Sequence, residues 1–203
     1  MKLYSFTGSC GLATNIVLEW IGQPYEVQLI EKSELSSPEF LAKNPNGQVP
    51  MLEDGDFILT QNVAIMDYLT KKNPEAKLSG EGDLQLSAKI HQWLSFINSD
   101  IHPSFKPLFG ATAYLEDENL IAKSHANARE RLHTLFGRID AQLAGKKYLV
   151  GTRSTADAYL FVTLLWTGFV KVDLSDFKNI AAFQAQMNAD PAVQKALSAQ
   201  KLA

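Results

Sequence analysis

Residues 2–30, KLYSFTGSCGLATNIVLEWIGQPYEVQLI, contain the clearest fold signal of the chain. The segment begins with a strand-like run at residues 2–6, continues with apolar residues at helical spacing, and closes with a second strand-like run at residues 26–30. Gly22 and Pro24 supply the turn before that second run. A β-α-β unit of this length predicts two parallel strands joined by a right-handed crossover.

Alternating strand and helix signals continue from this unit to about residue 75. Pro38 opens a short helix, since proline is favoured at a first helical position. Two short strands are predicted at residues 49–52 and 57–59, because an Asp-Gly pair lies between them as in a hairpin. A further helix is predicted over residues 61–69, so the predicted order is β-α-β-α-β-β-α.

The second part of the chain has few strand signals. A polar connection containing Pro and Gly spans residues 71–83, and we place the first domain at residues 1–76, a linker at 77–83 and the second domain at 84–203. Apolar residues in the second domain recur at intervals of three and four, which predicts helices. The expected fold is therefore an α+β domain followed by an all-α domain.

Composition narrows the classes of function. The chain has 203 residues, of which 46% are hydrophobic, and a net charge of -3. This mild acidity argues against nucleic acid and anionic membrane surfaces as partners. Cys10 is the single cysteine, which excludes an intrachain disulfide and favours a reducing, cytoplasmic compartment. Neither a signal peptide nor an apolar run of membrane-spanning length is recognised, so we expect a soluble globular protein.

Cys10 lies between the first predicted strand and the first predicted helix. A thiol there is close to unpaired helix N–H groups and to the positive end of the helix dipole, which favour the thiolate. The alternative is a small core residue, since free cysteine is among the most buried residue types. Ala13 stands where a Cys-x-x-Cys motif needs its second cysteine, so thiol chemistry would proceed through a mixed disulfide with an outside thiol.

Two further motifs are candidates for ligand contacts. A cis bond at Val49-Pro50 would leave the Val49 main chain free for an extended, peptide-like ligand. The alternative is an ordinary edge-strand proline. Thr60, Gln61 and Asn62 precede a predicted helix whose amides suit a carboxylate. The alternative there is plain capping by Thr60 or Asn62.

A polar strip lies on the long predicted helix of the second domain, and it consists of Ser95, Asn98, Ser99 and His102. The strip is either a solvated face or one wall of a cleft. Pro103 follows it directly and is expected to kink the helix, because proline lacks the amide that would bond to an earlier carbonyl.

Two other patterns concern folding and metal binding. Ser154 and Asp157 have the spacing of a capping box before an apolar segment, which predicts a central core helix. His91, His125 and His133 have no ligand spacing with each other or with an acid cluster, so we predict that they lie on helix faces and that the protein holds no metal.

Together, these motifs resemble the cytosolic glutathione transferases, and most closely their bacterial beta class. The resemblance covers nearly the whole chain. It rests on Lys2–Tyr4, Gly8–Cys10, Asn44–Pro50, Leu59–Ile65, His102 and Ser154–Phe161. It implies an N-terminal thioredoxin-like domain, an all-helical C-terminal domain, and a cytoplasmic homodimer with glutathione in the cleft between the domains.

The resemblance also implies roles for individual residues. Cys10 and His102 would be catalytic, with Cys10 facing the glutathione sulfur, or holding glutathione as a mixed disulfide, and His102 near the sulfur on the helical side. The glutathione-binding residues would be Ser9, Cys10, Val49, Pro50, Gln61, Asn62, Ser99 and Asp100, of which the last two would reach the glutathione of the neighbouring subunit. Phe6, Phe105, Phe109 and Tyr114 would line the electrophile site. Ser154 and Asp157 would form a folding cap.

The implied activity is the transfer of glutathione, as co-substrate, to a hydrophobic electrophile in detoxification. Two alternatives stay open. In the first, Cys10 itself attacks, as in a glutathione-dependent thiol-disulfide reductase or peroxidase. In the second, the chain is a non-catalytic binding protein on the same fold. Gln61 supports that second alternative, because the family usually has Glu there and a neutral amide binds the glutathione ammonium less strongly.

Overall fold

The computed structural model describes residues 1–202, and its residues form two compact units. The first unit contains Met1–Ser87 together with the segment that begins at Met187, and the second contains Ala88–Gln186. The return of the last residues to the first unit was not indicated by the sequence pattern. The domain bounds of 1–76 and 84–203 remain predictions, and Ala203 lies outside the described residues.

The first unit follows the predicted order of elements. They are β1 (Lys2–Ser5), α1 (Gly11–Ile21), β2 (Glu26–Leu29), α2 (Pro38–Lys43), β3 (Met51–Asp54), β4 (Phe57–Thr60) and α3 (Asn62–Lys72). The strands form one sheet in the order β2-β1-β3-β4. β1 and β2 are parallel, as the β-α-β unit predicts, while β1–β3 and β3–β4 are antiparallel.

The core of the first unit lies between this sheet and its helices. Leu3 and Leu52 from the sheet, Ile16 from α1 and Ile65 from α3 are all fully buried. Burial of these side chains removes apolar surface from water, which is the main stabilising contribution in a domain of this kind.

The second unit is helical throughout its regular structure. Its helices are the end of α4 (Leu84–Phe96), α5 (His102–Ser104), α6 (Glu118–Leu143), α7 (Thr155–Val170) and most of α8 (Lys178–Ala189), and α9 (Pro191–Ala199) returns to the first unit. The α+β and all-helical classes are thereby confirmed. Within residues 1–202, no helix combines the length and the apolar character that crossing a bilayer requires.

The break expected at Pro103 takes the form of a π-helical segment, Ile97–Ile101. The His102 N–H bonds to the Ile97 carbonyl, five residues back. The Ser104 hydroxyl donates to the Asp100 carbonyl at 2.6 Å and so pairs a carbonyl of the segment with a side chain. π-Helical turns of this kind are frequent at functional sites.

Candidate functional site

The turn that carries Cys10 is held by a small polar network. The Ser5 and Ser9 hydroxyls lie 2.9 Å apart, and the Gly11 N–H donates to Ser9 Oγ at 3.2 Å. A Cβ at Gly11 would come within 2.4 Å of Ser5 Oγ, so any other residue there would displace this hydroxyl. The network fixes Cys10 at the N-cap of α1.

The Cys10 thiol is protonated in the free protein. Its Sγ donates to the Val49 carbonyl at 3.8 Å. Burial raises the pKa of Cys10 to about 12, and this outweighs the opposite effect of the Cys10 and Gly11 amides. The amides at the start of the helix act in the expected direction, since they lower the pKa, but desolvation of the charged form is the larger effect.

Val49 presents a main chain available to a ligand. The Val49–Pro50 bond is cis, as the resemblance implies. The edge-strand alternative is wrong, because β3, which begins directly after Pro50, lies between β1 and β4. Among residues 1–202, no acceptor pairs with the Val49 N–H. The Asn44 amide donates to the Gln48 carbonyl at 2.6 Å and holds the approach to this bend.

Gln61 and Asn62 lie next to this bend, since Met51 pairs with Thr60 in the sheet. Gln61 has φ of 73°, a left-handed value that costs a non-glycine residue about 1–3 kcal/mol. No side chain caps α3, so the capping alternative is wrong. Asn62 is 5% exposed and accepts from the Thr14 hydroxyl at 2.7 Å, while its buried Nδ2 has no partner within the described residues.

These contacts bring six predicted glutathione-binding residues to one end of the first unit, and they are Ser9, Cys10, Val49, Pro50, Gln61 and Asn62. The free amide of Val49 suits the main chain of a peptide. The uncapped amides of α3 suit a carboxylate.

His102 belongs to the second unit, where it sits in an aromatic environment. Its ring centroid lies 4.7 Å from that of Trp166, and its Nδ1 lies 2.5 Å from the Tyr159 hydroxyl. Burial, together with the charge of Lys106, lowers the pKa of His102 to about 4. The imidazole is therefore neutral at physiological pH. In the π-helical segment that precedes His102, Ser99 is exposed and Asp100 is partly buried.

The residues expected to contact an electrophile differ in exposure. Phe105 is fully buried against Phe136 and Trp166, so it supports a surface but does not line one. Its inclusion among the lining residues is wrong. Phe109 stacks on Phe105 and is 49% exposed, and Tyr114 is 78% exposed.

Ser154 and Asp157 form the capping box at the start of α7. The Asp157 carboxyl accepts from the Ser154 N–H at 2.9 Å, from the Ser154 hydroxyl at 2.7 Å and from the Leu149 N–H at 2.9 Å. Burial raises the pKa of Asp157 to about 7, against the lowering effect of these bonds. These contacts join α7 to the loop that precedes it.

The sequence interpretation missed Tyr159 and Thr14 as contacts of predicted site residues. Tyr159 belongs to the apolar segment predicted as a core helix, nothing in the sequence singled out Thr14, and both are buried. The available signal was a tyrosine hydroxyl on a nearly apolar helix, because a buried tyrosine O–H usually has a hydrogen-bond partner. In residues 1–202, no group of three His, Cys, Asp or Glu side chains could hold a metal ion.

Similarity to known proteins covers the whole chain. The model of the glutathione S-transferase N-terminal domain matches residues 1–71, and that of the C-terminal domain matches residues 104–191. Glutathione S-transferase GST-4.5 of Xanthomonas campestris pv. campestris is 46% identical over the full length of both chains.

Solved structures agree. A glutathione S-transferase from Xylella fastidiosa is 48% identical, with a TM-score of 0.97 over 100% of this chain and 99% of that one. The bacterial beta class enzyme of Sphingomonas chungbukensis is 31% identical, with a TM-score of 0.89 over 100% of both chains. With both domain models matched and this likeness over its full length, the chain belongs to the glutathione S-transferase family.

Proposed function

We propose that this family member binds glutathione at the Cys10, Val49 and Gln61 end of its first unit and transfers it to a hydrophobic electrophile. One observation carries the proposal: the Val49 main chain, with its N–H unpaired in residues 1–202, lies beside the uncapped start of α3. An extended peptide with a carboxylate at one end fits this combination.

Each part of the tripeptide has a proposed contact. The cysteinyl main chain pairs with the Val49 N–H and C=O, replacing the weak Cys10 S–H bond to that carbonyl. The γ-glutamyl carboxylate binds the α3 amides, and Gln61 contacts the rest of that group. His102 remains the second catalytic residue that the family resemblance implies. The glutathione thiolate then attacks the electrophilic carbon, a carbon–sulfur bond forms, and the leaving group departs with its electron pair.

The state of Cys10 favours transfer over the alternative in which Cys10 attacks. A thiol with a pKa of about 12 is almost wholly protonated at pH 7, and the thiolate is the nucleophile. Cys10→Ala should therefore retain most conjugating activity, while any glutathione-dependent disulfide reduction should disappear. Loss of conjugation by more than about a hundredfold in a folded Cys10→Ala protein would contradict this and show that Cys10 itself takes part in transfer.

The direct test is retention on immobilised glutathione, followed by conjugation of a nitroaryl chloride. Gln61→Ala should weaken both, because it removes a proposed ligand contact. Gln23→Ala is the matched control, since Gln23 is exposed in the loop before β2. A protein that neither binds the column nor turns over the electrophile would overturn the proposal. Binding without turnover would favour the non-catalytic alternative.

We also propose a homodimer, with Ser99 and Asp100 reaching the glutathione of the second copy. A cavity of about 490 Å³ in the second unit supports this, because Asp100 shares it with Glu130, Arg131 and Arg138. Both signs of charge on one face suit pairing of identical surfaces. Sedimentation should give twice the 22.5 kDa chain mass. A monomer would contradict the proposal.

The cellular role follows from the same activity. We propose a cytoplasmic enzyme of detoxification, and the single cysteine supports the reducing compartment. Cell fractionation should recover glutathione-conjugating activity in the cytoplasmic fraction. That activity should decrease when the gene is deleted.

A further inference from the structure

One buried amide of the first unit has a donor without a partner. Asn62, the first residue of α3, is 5% exposed, and Thr14 of α1 is fully buried. The Thr14 hydroxyl donates to Asn62 Oδ1 at 2.7 Å. Asn62 Nδ2 is buried as well, and no group within residues 1–202 accepts from it.

The length of this bond indicates which end of the Asn62 amide faces α1. Hydrogen bonds of the O–H···O type are commonly about 2.7–2.8 Å long, and those of the N–H···O type about 2.9–3.0 Å. A separation of 2.7 Å therefore fits a hydroxyl that donates to an amide oxygen. With Oδ1 held toward Thr14, Nδ2 is the end that remains for another acceptor.

The surroundings of Asn62 indicate what that acceptor is. A buried N–H without a partner destabilises a protein, because it has lost water and gained no acceptor in exchange, so native structures contain few of them. The first amides of α3 also lack a side-chain cap, and Gln61 before them has the left-handed φ of 73°. Nδ2 and these amides are donors at the same helix start. A carboxylate, which only accepts and has two oxygens, can pair with both.

We propose that Thr14 is a positioning residue, which holds the Asn62 amide so that Nδ2 donates to the carboxylate bound at the start of α3. In the function proposed above, on which this inference rests, that group is the γ-glutamyl carboxylate of glutathione. Nδ2 is almost closed to solvent in the free protein, so its pairing belongs to the bound state, in which the ligand has displaced neighbouring side chains. Thr14 is fully buried and acts only through Asn62.

The Thr14 hydroxyl has a specific purpose at this place. The two ends of an amide have nearly the same shape, and a half turn exchanges its donor for its acceptor. Without the hydroxyl, Asn62 Oδ1 loses its donor, and the half-turned amide would direct an oxygen at the carboxylate. A neutral amide also supplies a donor without the desolvation penalty of a buried charge.

The first test compares two tripeptides by calorimetry, glutathione and γ-aminobutyryl-cysteinylglycine, which lacks only the γ-glutamyl carboxylate. Thr14→Val keeps the shape of the side chain and removes the hydroxyl. It should weaken glutathione binding about tenfold and binding of the analogue less than about twofold. Thr14→Ser keeps the hydroxyl and should preserve most of the wild-type difference between the two ligands.

Thr70→Val is the matched control for this comparison. Thr70 is fully buried on α3, and its hydroxyl donates to the Asp67 carbonyl of the same helix, so both affinities should be unchanged. An equal loss of both ligands in Thr14→Val would overturn the inference alone, as would a wild type that binds the two tripeptides equally. Failure of wild type to bind glutathione would overturn the proposed function.

A double-mutant cycle tests whether Thr14 acts through Asn62. Asn62→Ala should also weaken glutathione binding and spare the analogue, because it removes the donor itself. Thr14→Val added to Asn62→Ala should then cause no further loss, since the side chain that Thr14 positions is already absent. Losses that add independently would contradict the inference.

A third measurement uses the wild-type protein, so it does not depend on the folding of any variant. The proton NMR signals of the Asn62 side-chain NH₂ should move downfield when glutathione binds, because both the acceptor and its charge are new to that group. Binding of the analogue should leave them in place. Unchanged Asn62 signals in the presence of bound glutathione would overturn the inference.

Discussion

At the scale of single residues, Cys10 illustrates two opposing effects. The first amides of α1 lower its pKa, while burial raises it by a larger amount. The thiol is nevertheless only partly buried from solvent, so a small reagent has access to it. Its protonation, and not its exposure, should therefore limit its reactivity.

The alkylation rate of Cys10 should show this directly. A raised pKa means that the thiolate fraction increases about tenfold for each pH unit up to about pH 11, with no plateau near pH 8. Cys10 is the only cysteine, so the mass of the intact protein after timed iodoacetamide treatment measures its rate. A plateau below pH 9 would show that the helix amides outweigh burial.

Gln61 is one of the residues at which this chain departs from the pattern that the family resemblance implies. Its backbone has a left-handed φ, and glutamate would bear the same backbone cost because the two side chains share their stem. Only the charge of the terminal group differs. The effect on glutathione binding is therefore electrostatic.

Gln61→Glu should bind glutathione about fivefold more tightly, since a hydrogen bond to a charged partner exceeds a neutral one by roughly 1 kcal/mol. The gain should decrease with added salt. Isothermal calorimetry at two salt concentrations measures both effects. Gln23→Glu adds the same charge at an exposed position and should change little. Weaker binding by Gln61→Glu would contradict a contact with the ammonium group.

At the scale of elements, α7 depends on its first turn. The helix is almost entirely buried, so its N-terminal amides and the preceding loop need partners within the protein. The Asp157 carboxyl is the partner of both. It accepts from the Ser154 N–H at the start of the helix and from the N–H of the fully buried Leu149 in the loop. The capping box thus fixes the loop as well as the helix.

Asp157→Ala should lower the free energy of unfolding by about 3 kcal/mol or more, because two buried N–H groups lose their acceptor. Asp173→Ala is the control: Asp173 is exposed and accepts from the Ser175 N–H at 2.9 Å, so its loss should cost less than about 1 kcal/mol. Chemical denaturation measures both. Equal effects would show that the cap contributes no more than a surface turn.

At the scale of the molecule, the last residues complete the first unit. The Trp20 indole donates to Asp190 at 3.0 Å, and Lys195 pairs with Glu19 at 2.8 Å. The buried Gln200 amide donates to Ser5 Oγ at 3.2 Å, and Ser5 in turn contacts the serine before Cys10. Gln200 therefore supports the turn that carries the thiol.

Gln200→Ala should destabilise the protein by about 1–3 kcal/mol, because it leaves a cavity and removes a buried hydrogen bond. Gln194 lies on the same segment but is exposed. Gln194→Ala should therefore leave the stability nearly unchanged. Thermal unfolding of the two variants compares them. A neutral Gln200→Ala would show that the terminus does not support the first unit.

The order of elements in the first unit and the cap of α7 were predictable because both are local. Strand and helix periods, an Asp-Gly turn and the spacing of Ser154 and Asp157 act over a few residues. The cis bond at Pro50 was left open by the residues alone, and the family resemblance resolved it. Phe105 was misassigned because its place among the lining residues came from position in the family pattern alone, which does not show whether a side chain is buried.

The sequence by itself determined the two structural classes, since these depend on short-range patterns, and the family resemblance supplied the residues proposed to bind near Val49. Only the tertiary structure decided the pKa of Cys10, the partner of His102 and the place of Gln200. Each depends on groups from 39 to 195 residues away along the chain. Desolvation and long-range hydrogen bonds arise when the chain has folded, so no local pattern encodes them.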